Sequence, residues 1–567
     1  MNDRRHLLVL VVLVLVVCAP MVRFGLPDWG NDSTFQALMT KDFATQWWGG
    51  EIYPRWLSGL NGGYGAASFF FYPSFSRFAV VWLEPVVGSW DASGFYLAGV
   101  SALLAMVFAA WAAYYWCRSF AEPEAALFGA VIYTIQPYHL AVDLYTRGAL
   151  SEMWANVWPP LILLSVFRLA RGSSLAFVGL SVSYGCLILN HLPTTVCFSI
   201  VPVVAAIYFA PAGRRIPAVL RAGMAMTLGI ALAATYLAPA MLDQQKANLD
   251  WYRADPFFHY ARWWLFQWQP LYDSRTRLML LIVATLSFVL PCFWLAWRSE
   301  RVADRRRQLL FQGGLLLYSL IMATKLSRPL WEALPTLREL QFPTRFLEVF
   351  MVAVAGIAAL GWPYLRQRRA RSLAFVSAVS ILVWVAATVW AASMAFGEWR
   401  PFQAEERARR LRIRRSGCEH LPRTAPQQFC EDSAIERIQR EYPPRVPMLE
   451  TLQGRRLERP VVESWKPREI VLRLNAVEAG LLTVNHFYYA DWTARVENSD
   501  KELRISATKP YGFIHVHVPA GTYRLYLTLR QAGPERVGNR ISLASVAGLV
   551  LLSALLWRNR TGKCAGP

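Results

Sequence analysis

The run Leu7-Leu-Val-Leu-Val-Val-Leu-Val-Leu-Val-Val-Cys18, followed shortly by Asp28-Trp-Gly-Asn-Asp32, decides how this chain is read. With its flanks the apolar run is long enough to cross a bilayer, and Arg4 and Arg5 before it favour a cytoplasmic start. No small-residue cleavage site follows, and Val16-Val17-Cys18 lacks the small residue a lipoprotein site wants before its cysteine. The segment therefore reads as a retained anchor. Asp32 then surfaces at the far lip of the first span. A carboxylate there can take a proton from a hydroxyl or hold a cation.

The rest of the chain repeats the pattern. Of its 567 residues 55% are hydrophobic, and mean hydropathy is +0.27. Apolar runs of about 17–24 residues recur along it. The formal charge of +21 would suggest nucleic acid in a soluble protein. Here the charge collects in short loops: Arg168 and Arg171, Arg214 and Arg215, Arg298 to Arg307, Arg366 to Arg371, Arg558 to Lys563. That is the positive-inside pattern, and it excludes nucleic acid as the partner.

Alternating spans with basic loops gives a mainly α, polytopic membrane protein of about twelve transmembrane helices with both termini inside. A long outer loop, 23–91, follows the first span; in it Phe75 to Val87 is apolar but broken by Arg77 and Glu84, as in a helix lying at the interface. The other outer segments are 241–276, 324–345 and 397–540. The organisation expected is a transmembrane domain over 1–396, a β-rich outer domain over 397–540, and a last helix and inner tail over 541–567. Alternating runs such as Ile470-Val-Leu-Arg-Leu and Tyr523-Arg-Leu-Tyr-Leu-Thr-Leu529 give the outer domain a β-sandwich pattern. In a bacterial inner membrane this domain is periplasmic.

Cys18, Cys117, Cys186, Cys197 and Cys292 fall in spans as packing residues, and Cys564 on the inner tail. Cys418 and Cys430 share the outer domain, where an oxidising compartment favours a structural disulfide.

The chemistry gathers at outer span ends. Asp143-Leu-Tyr-Thr-Arg147-Gly-Ala-Leu-Ser-Glu152 leads directly into the fourth span. Glu152 alone could simply favour a helix N-terminus, but Arg147 and Arg345 are not explained that way. Pro343 should open the tenth span, which puts Arg345 in a first turn where a cation is disfavoured; an anionic partner such as phosphate would hold it there. Arg55, in Tyr53-Pro-Arg-Trp56, is a further phosphate-binding candidate, and snorkelling at the interface is the plain alternative for each arginine. His191 reads equally as a ligand or a helix terminator. His515 and His517 lack acids and make a poor metal site. Arg262-Trp-Trp-Leu-Phe-Gln-Trp268 reads as an aromatic belt. Walker, Rossmann, G-x-S-x-G and His-Glu-x-x-His motifs are absent from the sequence.

Asn31-Asp32-Ser-Thr-Phe-Gln36, Tyr53-Pro-Arg-Trp56, Asn61-Gly-Gly-Tyr-Gly65 and Phe71-Tyr-Pro73 resemble the first-loop signature of a bacterial multispanning family labelled 6-pyruvoyl-tetrahydropterin synthase-related. That family is similar in build to GT-C glycosyltransferases. Tyr145 to Glu152, Gln341-Phe-Pro-Thr-Arg345 and Tyr488-Tyr-Ala-Asp-Trp492 extend the resemblance over most of the chain. A pterin synthase's zinc-binding His cluster is not visible. The GT-C resemblance implies a lipid-phosphate sugar donor, an outer-face site and a first-loop acid, which maps onto Asp32. Asn31 and Gln36 stand where the family pattern tends to have His, so acceptor activation by Asp32 is favoured over a metal. No metal ligands are assigned, and a divalent cation near Asp32 is the one cofactor the resemblance allows.

Topology also selects the donor. Nucleotide sugars are cytoplasmic, whereas a polyprenyl-phosphate sugar can be presented on the outer face. Asp32 would be the base, Arg147, Arg345 and Arg55 would meet the phosphate, and Glu152 would orient the acceptor or Arg147. A single displacement inverts the anomeric centre. The acceptor would be an envelope glycan, lipid or protein. Two rivals stand beside this reading: a lipid or polysaccharide transporter, which wants ionisable residues deep in the spans, and a non-catalytic envelope scaffold acting through the outer sandwich.

Overall fold

A computed structural model describes residues 2–267, 274–367, 371–395 and 401–562. Trp268, Arg400, Lys563, Cys564 and residues 368–370 of one basic loop lie outside the described residues.

Among the described residues, nine helices are long and apolar enough to cross a membrane: Phe95–Arg118, Pro123–Arg147, Leu150–Ala170, Leu192–Phe209, Ala212–Leu232, Thr276–Ser299, Pro343–Leu365, Arg371–Ala395 and Gly533–Arg558. The three other spans expected from the sequence fall on the helices Asn2–Val17, Leu175–Asn190 and Ala303–Ala323. The first two are short for a bilayer, and the third carries Asp304 and three arginines in its opening turns.

Burial separates these helices by role. Pro343–Leu365 is the central helix, with 89% of its apolar window buried, whereas Arg371–Ala395 and Gly533–Arg558 bury 17% and 6%. Leu382, Val389, Leu551 and Leu555 project outward from the latter two. Apolar surface of that extent needs lipid around it.

The β-rich part folds as two antiparallel sheets around one core. Strands β1 (Pro447–Thr451), β4 (Gly480–Phe487), β8 (Phe513–Val518) and β7 (Ile505–Ala507) form the first, in that order. The second has the order β2 (Val461–Lys466), β3 (Glu469–Ala476), β9 (Gly521–Leu529), β5 (Trp492–Val496) and β6 (Glu502–Leu503). Ile470, Leu472 and Leu474 of β3 are buried at every second position, opposite Leu527, Leu525 and Tyr523 of β9. That alternation matches the pleat and fixes the register. Cys418 and Cys430, ahead of β1, are joined by a disulfide with Cα atoms 5.4 Å apart.

The first loop is wedged between helices and sheets. Trp56 is fully buried and donates its indole N–H to His486 Nε2 at 2.9 Å, and Tyr64 stacks on Phe513 at 4.9 Å between ring centres. Lys246 reaches Asp491 at 2.8 Å, and Trp263 packs edge-on against Phe342 at 5.2 Å. So the segments 23–91, 241–276, 324–345 and 397–540 are joined by direct contacts. At other helix ends Arg171 pairs with Asp304 at 2.9 Å and Arg305 with Glu122 at 2.7 Å.

One expectation is overturned. Phe75 to Val87 is not an interfacial helix but three short turns, Phe75–Phe78, Val81–Leu83 and Glu84–Val87. Arg77, instead of reaching toward headgroups, is completely buried, with its guanidinium on the Ser76 and Ser151 hydroxyls and the Gln36 side-chain carbonyl. Those internal partners fold the segment into the protein.

Candidate active site

Asp32 is the residue immediately before the helix Ser33–Trp48. An aspartate in that position usually caps the helix by accepting from the next turn's N–H groups. Here the side chain makes no cap hydrogen bond. It turns to Arg147 instead, with Oδ2 at 3.4 Å from Nη2. The helix forgoes a contribution of about 1 kcal/mol. The main chain fixes this placement: the Asp32 N–H donates to the Arg147 carbonyl at 2.8 Å, and Asn31 N–H to Thr146 at 3.1 Å. Such close strand-like contact needs small residues. A Cβ on Gly148, whose φ is +63°, would lie 1.8 Å from Ser33 Oγ, and one on Gly30 would meet the Arg147 carbonyl at 2.7 Å.

Arg147 ends a π-helical segment, Tyr138–Arg147. Wide turns of this kind re-aim side chains and are frequent at functional sites. Its guanidinium meets three carboxylates: Glu152 Oε2 at 2.6 Å, Asp143 Oδ1 at 3.3 Å and Asp32. Glu152 also accepts from the Tyr138 hydroxyl at 3.1 Å. Glu152 and Asp143 are fully buried, whereas the Asp32 side chain is 31% exposed. Burial pushes the Asp32 carboxyl above the usual carboxylate range, against the downward pull of the Arg147 charge.

Arg345 lies in the single turn Pro343–Phe346 at the head of the central helix. It donates to the Leu340 carbonyl at 2.5 Å and stacks on Phe342, while its Nε is buried without a hydrogen-bond partner. No carboxylate pairs with it among the described residues. His191 sits in extended conformation at the break between Leu175–Asn190 and Leu192–Phe198, so it does end a helix, and its Nδ1 is 2.5 Å from Thr194 Oγ1.

Arg55, a phosphate-binding candidate in the sequence, is not brought to this cluster. It is fully buried, paired with Glu535 at 3.1 Å, and donates to Thr235 and Asn539. Arg468 bridges the same Glu535 to Glu51. These partners tie the first loop to the last helix and the β-sheets. With its donors engaged inside the protein, Arg55 has a structural place.

Two acids missing from the sequence-derived set belong to the cluster. Asp143 opens the same sequence motif and lies four residues before Arg147, the spacing that puts the two side chains in reach on a helix. Glu348 lies one turn into an apolar span, and an acid in such a place is itself a functional signal. Glu348 is fully buried and neither of its oxygens has a hydrogen-bond partner. Ligand atoms of Glu152, His191 and Glu348 lie within 4.8 Å of one another. Among the described residues, Asp32 is not in that group.

No family model and no curated protein matches the chain, so the pterin-synthase-related label is not shown. Solved structures of low similarity include the arabinofuranosyltransferase AftD from Mycobacteria, at 15% identity and a TM-score of 0.45 over 69% of this chain and 27% of that one. ArnT from Cupriavidus metallidurans, bound to undecaprenyl phosphate, matches at 12% identity and 0.42 over 72% of this chain and 74% of that one. The oligosaccharyltransferase AglB from Archaeoglobus fulgidus, with an inhibitory peptide and a dolichol-phosphate, matches at 13% and 0.40 over 69% and 56%. The chain spans about a quarter of the length of AftD.

Proposed function

We propose that this protein is a GT-C-like membrane glycosyltransferase that moves a sugar from a polyprenyl-phosphate donor to a cell-envelope acceptor on the outer face of a bacterial inner membrane. The observation that carries this reading is the pairing of Asp32, partly exposed at the first loop, with Arg147, its side chain 3.4 Å away and its main chain hydrogen-bonded to the Arg147 carbonyl.

Asp32 is the base. The acceptor oxygen attacks the anomeric carbon, its proton passes to the Asp32 carboxylate, and the bond to the polyprenyl phosphate breaks with inversion. A positioned base of this kind supplies about 10²–10⁴-fold. The geometry divides the arginines. Arg147 already meets three carboxylates and is the hub that positions Asp32. Arg345, lacking a carboxylate, is the cation for the leaving phosphate, assisted by its semi-buried setting. Glu152 holds Arg147. The proposed organisation keeps the transmembrane domain at 1–396, the periplasmic domain at 397–540 and cytoplasmic termini.

The test is direct. Purified full-length protein in lipid nanodiscs, given a polyprenyl-phosphate sugar and an envelope extract, should release polyprenyl phosphate and label the extract. Donor left intact across a panel of such sugars would refute the reading.

A further inference from the structure

Behind Arg147 three side chains from distant parts of the sequence meet. Glu152 lies in the helix Leu150–Ala155, His191 at the break between two helices, and Glu348 in the first turn of Leu347–Leu365. One ligand atom from each lies within 4.8 Å of the other two, and all three residues are buried.

One feature marks this cluster as incomplete on protein groups alone. Both Glu348 oxygens are buried without a hydrogen-bond partner, an arrangement that folded proteins avoid unless something else binds there.

We propose that Glu152, His191 and Glu348 form a binding site for one divalent first-row metal ion. Two carboxylates and an imidazole suit a cation such as Zn²⁺ or Mn²⁺. Metal–ligand bonds of about 2.0–2.2 Å place ligand atoms about 3–4 Å apart, so small side-chain rotations close the observed spread. Glu152 can serve both neighbours, keeping Arg147 on Oε2 while Oε1, which accepts from the Tyr138 hydroxyl, uses its second lone pair. Three protein ligands leave a coordination position open. Beside Arg345 that position would accept an anionic oxygen, and under the transferase reading, on which only this last step rests, it is a phosphate oxygen of the donor.

The experiment uses full-length protein in detergent, stripped with a chelator and titrated with ZnCl₂ by equilibrium dialysis and elemental analysis. The expected result is about one equivalent per chain, with affinity reduced at least tenfold in Glu348→Gln and His191→Gln and unchanged in His515→Ala. X-ray absorption of Zn-loaded wild type, which needs no variant, should show one imidazole nitrogen among oxygens and no sulfur. The proposal is overturned by wild type that takes up no equivalent, by Glu348→Gln with unaltered affinity, or by sulfur in the coordination sphere. Transfer at the full rate by chelator-stripped protein would refute the donor-phosphate step alone, and metal binding without transfer would refute the transferase alone.

Discussion

The backbone N–H of Asp32 donates to the carbonyl of Arg147 at 2.8 Å, across 115 residues of sequence. The acid of the first loop and the arginine at the end of a span are thus aligned by main chain. The side-chain pair between them is looser, with Oδ2 and Nη2 at 3.4 Å. This separates placement from chemistry and lets side-chain variants be read cleanly.

Asp32→Asn should abolish transfer, by about 10²–10⁴-fold, while expression and melting temperature stay within the wild-type range. The amide is nearly isosteric, and the main-chain bonds that seat residue 32 survive. Transfer near the wild-type rate would remove Asp32 from the mechanism.

Arg55→Gln should do the opposite. It leaves Glu535 buried with one of its two arginines gone, and breaking a buried pair costs about 3–5 kcal/mol. A large fall in melting temperature is expected, with transfer per folded molecule retained. A stable variant with weakened donor binding would return Arg55 to the site.

The contrast shows what the sequence could and could not tell. Spans and the sandwich were legible because apolar runs and alternation are local patterns. Asp32, Arg147 and Glu152, which the structure brings together, stand out in the sequence because charge at span ends is locally anomalous. Arg55 looked the same by residue type, but its partner Glu535 is 480 residues away. Arg77 was misplaced for a similar reason, its burial depending on Gln36 and Ser151 from other segments. Glu348 carries a local signal too, an acid within an apolar run three residues past the more conspicuous Arg345.

The acid limb of transfer should lie above the ordinary aspartate value of about 3.9. Burial raises the Asp32 carboxyl, so its base form is lost earlier as pH falls. The stability effect has the opposite sign. The folded state holds this proton more tightly than the unfolded chain, so the contribution is present at low pH and lost as pH rises through the raised value. A pH–rate profile in nanodiscs measures the limb, and a midpoint at or below the ordinary value contradicts the assigned environment.

Cys418 and Cys430 should appear as a cross-linked peptide pair in mass spectrometry of protein digested without reductant. The bridge closes a short loop ahead of β1 and is worth about 3 kcal/mol on the loop-entropy account. Reduction should lower the melting temperature without touching transfer. Free thiols at both positions in protein prepared without reductant would refute the bridge.

The site should face the compartment opposite the basic loops. Charge asymmetry across the spans argues for this, and so does contact: Trp56 to His486, Lys246 to Asp491 and Trp263 to Phe342 join the four segments assigned to one face. Single cysteines at Ser89, Ser499 and Ser299, all exposed positions, test it in a background without native cysteines. A membrane-impermeant thiol reagent on intact spheroplasts should label the first two and spare the third. Labelling at Ser299 with protection of Ser89 would invert the topology. Cytoplasmic nucleotide sugars would then reach Asp32, and the argument for a lipid-phosphate donor would fail.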